Sequence, residues 1–324
     1  MGTRVKALVT GGTGFIGRHV TDCLLDDGHR VRVFSRRAAV PDHWAKRGVE
    51  VFRGDLEDSG SVINAMDGAD VFFHIGEIRN TGKASSQENT RLIDLIVTNL
   101  RKKGIKRFVF ISSITVSGIP SEMPASEETT PKIILNDHYT ASKRRCEEII
   151  AERSWGCEHV IVRPAPVYGP GSRYMGNLIE ALGKLGPFGF PFIGNARNNA
   201  PLIYVKDLAQ AICLSGLKEN LSGRKFILTD GFRHSWFDFF KEITDLLDRK
   251  LRILPVPPLL LKISAVPFDL LSGMFGVELD PVSYVDYFSR DIYFDNSRAK
   301  DLLDWQPAYS LSEGVREMVR IYGK

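Results

Sequence analysis

Residues 10–17 read Thr10-Gly11-Gly12-Thr13-Gly14-Phe15-Ile16-Gly17, directly after a short apolar run at 5–9. Glycines 11, 14 and 17 are spaced GxxGxxG, and 12, 14 and 17 also give GxGxxG. This spacing narrows the fold more than any other feature of the chain. It suits a strand that turns sharply into a helix. One glycine makes the turn, one lets the backbone approach a pyrophosphate, and the last lets the helix pack close to the sheet. The free N–H groups and positive dipole end of that helix then face the phosphates. The flanking strand and helix are the context that separates a dinucleotide cradle from an idle glycine-rich turn. Gly11, Gly14, Phe15, Ile16 and Gly17 are therefore the first candidate cofactor contacts.

The rest of the first half carries the same rhythm. Short, nearly all-apolar runs at 5–9, 31–34, 49–52, 71–75, 108–111 and 160–162 alternate with amphipathic helical stretches such as 17–27 and 88–103. Continuous apolar runs suit strands buried on both faces, and the alternation suits parallel strands joined by helical crossovers. The fold class expected is α/β, a Rossmann doubly wound parallel sheet with a smaller C-terminal substrate-binding domain. After Arg163 the rhythm changes, and proline and glycine become dense from 164 to 194. A strand and helix return at 202–205 and 207–216, then a strand at 226–229, a helix at 236–247, and two short helices around Trp305-Gln306-Pro307. The division expected is a dinucleotide domain at 1–163, to which 202–229 returns, and a smaller domain from 164–201 and 230–324. The strands near Leu202 and Phe226 fit either part.

The second strand ends in Phe34-Ser35-Arg36-Arg37. An NAD enzyme usually places an acidic residue here on the ribose 2′-OH. Serine followed by two arginines fits a 2′-phosphate better, so Ser35, Arg36 and Arg37 favour NADP(H) over NAD(H). The bland alternative is that both arginines are simply exposed. Asp55 and Leu56, after the third strand, are candidate adenine-side contacts, although Asp55 equally suits a helix cap.

Two further elements carry chemistry. Tyr139-Thr140-Ala141-Ser142-Lys143 places a phenol and an ammonium on one helical face. A nearby lysine charge favours the phenolate, which suits an acid/base catalyst. Phe110-Ile111-Ser112-Ser113 is a buried run that emits serines at its end, where doubly wound folds place their sites.

In this order the motifs resemble an extended short-chain dehydrogenase/reductase, of the NAD-dependent epimerase/dehydratase family, over nearly the whole chain. The matching stretches are 10–17, 54–58, 71–76, 108–118, 139–143, 163–171, 204–212 and 294–307. The resemblance implies that Tyr139 is the general acid/base and that Lys143 hydrogen-bonds the nicotinamide ribose and tunes Tyr139. It implies that Ser113, three residues before Val116, holds the substrate oxygen, with Thr115 at a second polar position of variable role. Homodimerisation is an expectation by analogy alone.

Several positions depart from the family pattern. V-Y-G reads Val116-Ser117-Gly118, and H-L-A-A reads His74-Ile75-Gly76-Glu77. Glu77 is either an acid/base or substrate-selecting group, or a solvent-facing loop residue. His74 reads as structural. Nucleotide-sugar members often carry an asparagine where this chain has Pro166 and a diphosphate-binding arginine where it has Ala200. Arg197 is near enough to stand in after a register shift. The apolar stretch 253–275, with Leu259, Leu260, Leu261 and Phe268, suggests a pocket for an apolar, steroid-like substrate, or equally the small domain's core.

The expected activity is hydride transfer at a secondary alcohol or ketone. The alternatives are a nucleotide-sugar epimerase or dehydratase and a non-catalytic dinucleotide-binding subunit. With 43 basic and 39 acidic residues, a net charge of +4 is too weak and dispersed to argue for nucleic acid. The four cysteines have no metal-site spacing. The prolines and charges at 253–276 argue against a transmembrane segment and leave peripheral membrane contact open. A cytoplasmic location and a small-molecule substrate are expected.

Overall fold

A computed structural model of the chain describes residues 4–78, 82–135, 137–154, 156–258, 285 and 287–323. Its strands are β1 (Lys6–Thr10), β2 (Arg30–Ser35), β3 (Glu50–Arg53), β4 (Val71–His74), β5 (Arg107–Ile111), β6 (Ile119–Pro120), β7 (Pro131–Ile133), β8 (Glu158–Pro164), β9 (Val167–Tyr168), β10 (Phe190–Ile193), β11 (Ile203–Tyr204), β12 (Arg224–Leu228) and β13 (Ile253–Val256). Its helices are α1 (Phe15–Asp26), α2 (Asp42–Lys46), α3 (Ser59–Ala65), α4 (Gly82–Leu100), α5 (His138–Arg153), α6 (Arg173–Leu185), α7 (Val205–Leu217), α8 (Trp236–Leu246), α9 (Ser297–Leu303) and α10 (Leu311–Tyr322).

The central sheet has seven parallel strands in the order β12-β8-β5-β4-β1-β2-β3. Successive side chains point to opposite faces, and both faces are covered. Val9, Val33, Phe73, Val109 and Val162 pack with α1 and α7 on one side. Leu8, Phe34, Phe72, Phe108 and Ile161 pack with α3, α4 and α5 on the other. This double burial is why most of the strand sequences are apolar on both faces, while β2 carries Arg32, which pairs with Glu50 of the edge strand β3. Chain order reverses between β1 and β4, which opens a crevice at the carboxyl ends of these two strands.

Of the two strands that fitted either part, β12 is the edge strand of the main sheet, next to β8, and β11 pairs with β9 outside it. The second lobe joins β10 and β13 to α6, α8 and α10 around Phe190, Phe192, Trp236, Phe239 and Phe240. Ser235 and Ser310 open α8 and α10 with capping boxes, each closed by an acidic side chain three residues on. The tail is tied back to α7: the Trp305 indole donates to the Asp207 carbonyl at 3.1 Å, and the Asp207 carboxylate accepts the Ala308 N–H at 2.9 Å. Leu259, Leu260, Leu261 and Phe268, the sequence-based pocket wall, lie outside the described residues. Among the described residues no helix is long and apolar enough to cross a membrane.

Candidate active site

The glycine turn links β1 to α1 as the spacing requires. Gly11 has φ +69°, a left-handed conformation that disfavours other residues. A Cβ on Gly17 would strike the Gly11 carbonyl, so the helix reaches the turn only because that position is glycine. Gly14 is the N-cap of α1 and offers no side-chain cap, and the first turn holds no acidic residue. The helix terminus is thus left for an external acceptor, which is what a pyrophosphate supplies. Phe15 and Ile16 are half-buried beside it. Gly76, after β4, donates to the Thr10 carbonyl at 3.1 Å and packs against Gly11. Leu56 borders the same turn: a Cβ on Gly76 would lie 2.9 Å from its Cδ1. These residues fit a dinucleotide.

Ser35 closes β2 and its hydroxyl accepts the Arg37 N–H at 3.1 Å. Arg36 and Arg37 are exposed. Asp55 is not the cap of the following helix. That cap is Asp58, which accepts the Gly60 and Ser61 N–H groups of α3. The Asp55 carboxylate instead closes a local turn on the Glu57 N–H at 3.2 Å.

The catalytic candidates converge where β5 ends. Ser113 is the N-cap of a short 3-10 turn, Ile114–Ser117, and its Oγ accepts from the Thr115 N–H and hydroxyl at 3.2 and 3.0 Å. The Ser113 hydroxyl also lies within hydrogen-bonding reach of the Tyr139 phenol. Asp137 caps α5 through the Thr140 N–H at 2.8 Å and so fixes the turn that carries Tyr139. One helical turn on, Lys143 Nζ donates to the Ile111 carbonyl at 3.1 Å. It lies 5.2 Å from the Phe110 ring centre and 5.6 Å from that of Tyr139.

The electrostatics differ from the sequence expectation. Burial raises the Tyr139 pKa, the Lys143 charge only partly offsets it, and Glu77 adds to the rise. The phenol is therefore held protonated. The Lys143 pKa also rises: burial, the largest single effect, lowers it, and the charge of Glu77 together with Tyr139 and Cys146 more than offsets burial. Glu77 is no solvent-facing loop residue, because its Oε1 lies 3.5 Å from Lys143 Nζ. His74 is structural, as read: its Nδ1 meets the Thr10 hydroxyl at 3.0 Å, and burial first, then the Lys143 charge, pulls its pKa down to about 3.

Sequence reading missed a second polar system behind the site. Ser112, unlike Ser113, is turned to a buried carboxylate: its hydroxyl donates to Glu147 Oε1 at 2.6 Å. Glu147 also accepts from Arg163 at 2.9 and 2.6 Å and from Lys225 at 3.1 Å. The spacing of Tyr139, Lys143 and Glu147 at successive fours was the signal for it. The missing aromatic of V-Y-G, Ser117, is buried. On the other lobe, Ala200 is fully buried, and its N–H donates to the His234 carbonyl at 2.7 Å. Arg197 does not take its place: it is exposed, with its guanidinium 3.8 Å over the Phe237 ring.

Gly76 and Glu77 are consecutive, and they bring the two halves of the site together. One touches the glycine turn and the other pairs with Lys143.

Comparison with known proteins shows the family and the fold. 3beta-hydroxysteroid-dehydrogenase/decarboxylase isoform 2 of Arabidopsis thaliana is 26% identical over 96% of this chain, which spans 61% of that relative's length. UDP-glucose 4-epimerase of Vibrio cholerae is 26% identical over 97% of this chain and 94% of its own. The solved structure of UDP-glucose 4-epimerase from Thermus thermophilus, a complex with NAD, superposes with a TM-score of 0.73 at 22% identity, over 98% of both chains. The NAD dependent epimerase/dehydratase family model matches residues 7–227. With that match covering the cradle and the Ser-Tyr-Lys set alike, the chain belongs to the NAD-dependent epimerase/dehydratase family and is an NAD(P)-dependent enzyme.

Proposed function

We propose that this enzyme is an oxidoreductase that prefers NADP(H) and interconverts a secondary alcohol and a ketone on an apolar, steroid-like substrate. The observation that carries the reading is the convergence of Ser113, Tyr139 and Lys143 at the end of β5, next to the glycine turn. A bound nicotinamide supplies the hydride donor or acceptor. Gly11, Gly14, Phe15, Ile16, Gly17 and Leu56 would hold the dinucleotide's phosphates and adenine side, with Asp55 beside Leu56. Ser35, Arg36 and Arg37 would take the 2′-phosphate. Lys143 would orient the ribose. Ser113 would hold the substrate oxygen while Tyr139 gives it, or takes from it, a proton. Residues 164–201 and 230–324 would form the substrate lobe.

Similarity to UDP-glucose 4-epimerases supports a second reading, hydride removed and returned within one turnover on a nucleotide sugar. The apolar reading is preferred because Ala200 is buried and Arg197 is stacked on Phe237, which leaves the diphosphate position without its arginine.

The test is NADPH consumption with a panel of keto and hydroxy steroids, using wild type and Tyr139→Phe. Wild type should turn over at least one of them. Tyr139→Phe should lose roughly 100-fold or more of that rate while its affinity for NADPH stays nearly unchanged. A Tyr139→Phe variant as active as wild type would remove Tyr139 from the mechanism.

A further inference from the structure

Glu77 stands where the family pattern has a small residue, and it falls on the one ammonium of the Ser-Tyr-Lys set. Its carboxylate lies 3.5 Å from Lys143 Nζ, with the two side chains 25% and 12% exposed respectively. Water therefore screens the pair only partly. An ammonium has three protons to give. One goes to the Ile111 carbonyl, and the rest of the surface faces the Phe110 and Tyr139 rings and Glu77.

The other ionisable neighbours do not compete with Glu77 for this role. On β4, His74 is neutral, since burial holds its pKa near 3. On α5, Cys146 is a neutral thiol, pushed by burial to about 11. Tyr139 is protonated, and Asp137, whose Oδ1 accepts from the Thr140 N–H, is not among the groups that act most on Lys143. Among the described residues, Glu77 is the carboxylate that acts most strongly on Lys143.

We propose that Glu77 is a positioning residue that competes with the nicotinamide ribose of the cofactor for the Lys143 ammonium, and so weakens dinucleotide binding at that half of the molecule only. This rests on the reading above, in which Lys143 serves the ribose. Before the dinucleotide binds, the ammonium stays paired and the phenol stays protonated. When ribose hydroxyls arrive, they must displace a carboxylate rather than water. A member with a small residue at this position lacks that competitor.

The experiment compares wild type, Glu77→Gln, Lys143→Met and the double variant for binding of NADPH and of ADP, which has no nicotinamide ribose, by calorimetric titration. Glu77→Gln should tighten NADPH by roughly three- to tenfold, the effect of losing a partly screened ion pair. ADP should bind both proteins equally. In the Lys143→Met background the Glu77→Gln change should have no effect, because the coupling runs through Lys143. Equal tightening of NADPH and ADP would overturn the proposal, as it would reflect general relief of negative charge near phosphate. So would unchanged NADPH affinity in Glu77→Gln. Failure of wild type to bind NADPH at all would overturn the functional reading and this inference together, whereas binding that ignores Glu77 would overturn this inference alone.

Discussion

Arg36 and Arg37 follow Ser35 at the carboxyl end of β2 as exposed side chains. No ion pair ties either guanidinium to a described residue, so neither needs to leave a partner to meet a phosphate. A guanidinium gains most from a doubly charged 2′-phosphate and little from a 2′-OH. Replacing both by alanine should therefore weaken NADPH by roughly tenfold or more and leave NADH nearly unchanged, measured by fluorescence titration of each cofactor. Equal losses for the two would refute the preference. The residue scale is also where the sequence is least complete. Ser112 and Ser113 are adjacent and identical, and only motif register favours Ser113. The physical reason lies 35 positions away, where the Glu147 carboxylate takes the Ser112 hydroxyl. Glu77 is equally mute in sequence, because its role depends on a lysine that arrives from α5.

The strands of the main sheet were legible because burial on both faces writes itself as mostly apolar runs. Strand β11 lies inside the strand expected at 202–205, whereas the two-residue β9, within the proline- and glycine-dense stretch 164–194, carries no such signal. Helix α5 is a different case. It turns Thr140, Ser142, Cys146 and Glu147 inward, so its buried face is polar enough to blur an amphipathic pattern. That face has a consequence for stability. Burial alone would raise the Glu147 pKa, but the Arg163 hydrogen bonds and charge, with Lys225 and Ser112, hold it below its ordinary value near 4.5. A carboxyl group whose folded pKa is depressed adds stability that is present in full above its unfolded pKa and is lost as pH falls through the folded one. Glu147→Gln should therefore cost about 3–5 kcal/mol at neutral pH, because Arg163 is left buried without its counter-charge. The gap from wild type, followed by denaturant unfolding, should close as the solution is acidified below about pH 4.5. A gap that stays constant to the lowest pH at which both proteins fold would mean that Glu147 is not ionised in the native state.

At the scale of the whole molecule, the family model matches residues 7–227, a stretch that holds both the glycine turn and the Ser-Tyr-Lys set. The first half was legible because glycine spacing, YxxxK and the serine-bearing strand are short-range patterns with fixed geometry. The second half was less so, because groups that meet there come from positions far apart in sequence, as where the Asn199 side-chain amide donates to the Ile292 carbonyl. The question left between the two functional readings is whether the second lobe accepts a nucleoside diphosphate. Ala200 is fully buried, and Arg197 is 3.8 Å over the Phe237 ring rather than at the diphosphate position. A diphosphate entering there would lose water without gaining a bidentate partner, which is unfavourable for so charged a group. The NADPH-saturated protein should therefore show no thermal shift with UDP, dTDP, GDP or CDP. Binding at 100 times its Kd would add about 2.7 kcal/mol to folding, enough to raise the midpoint of a chain this size by at least about a degree. The absence of any shift across the four is thus a meaningful result, and it directs the substrate search to apolar alcohols and ketones. A clear shift with one of them would mean that another cation serves the diphosphate, and the nucleotide-sugar reading would displace the steroid-like one.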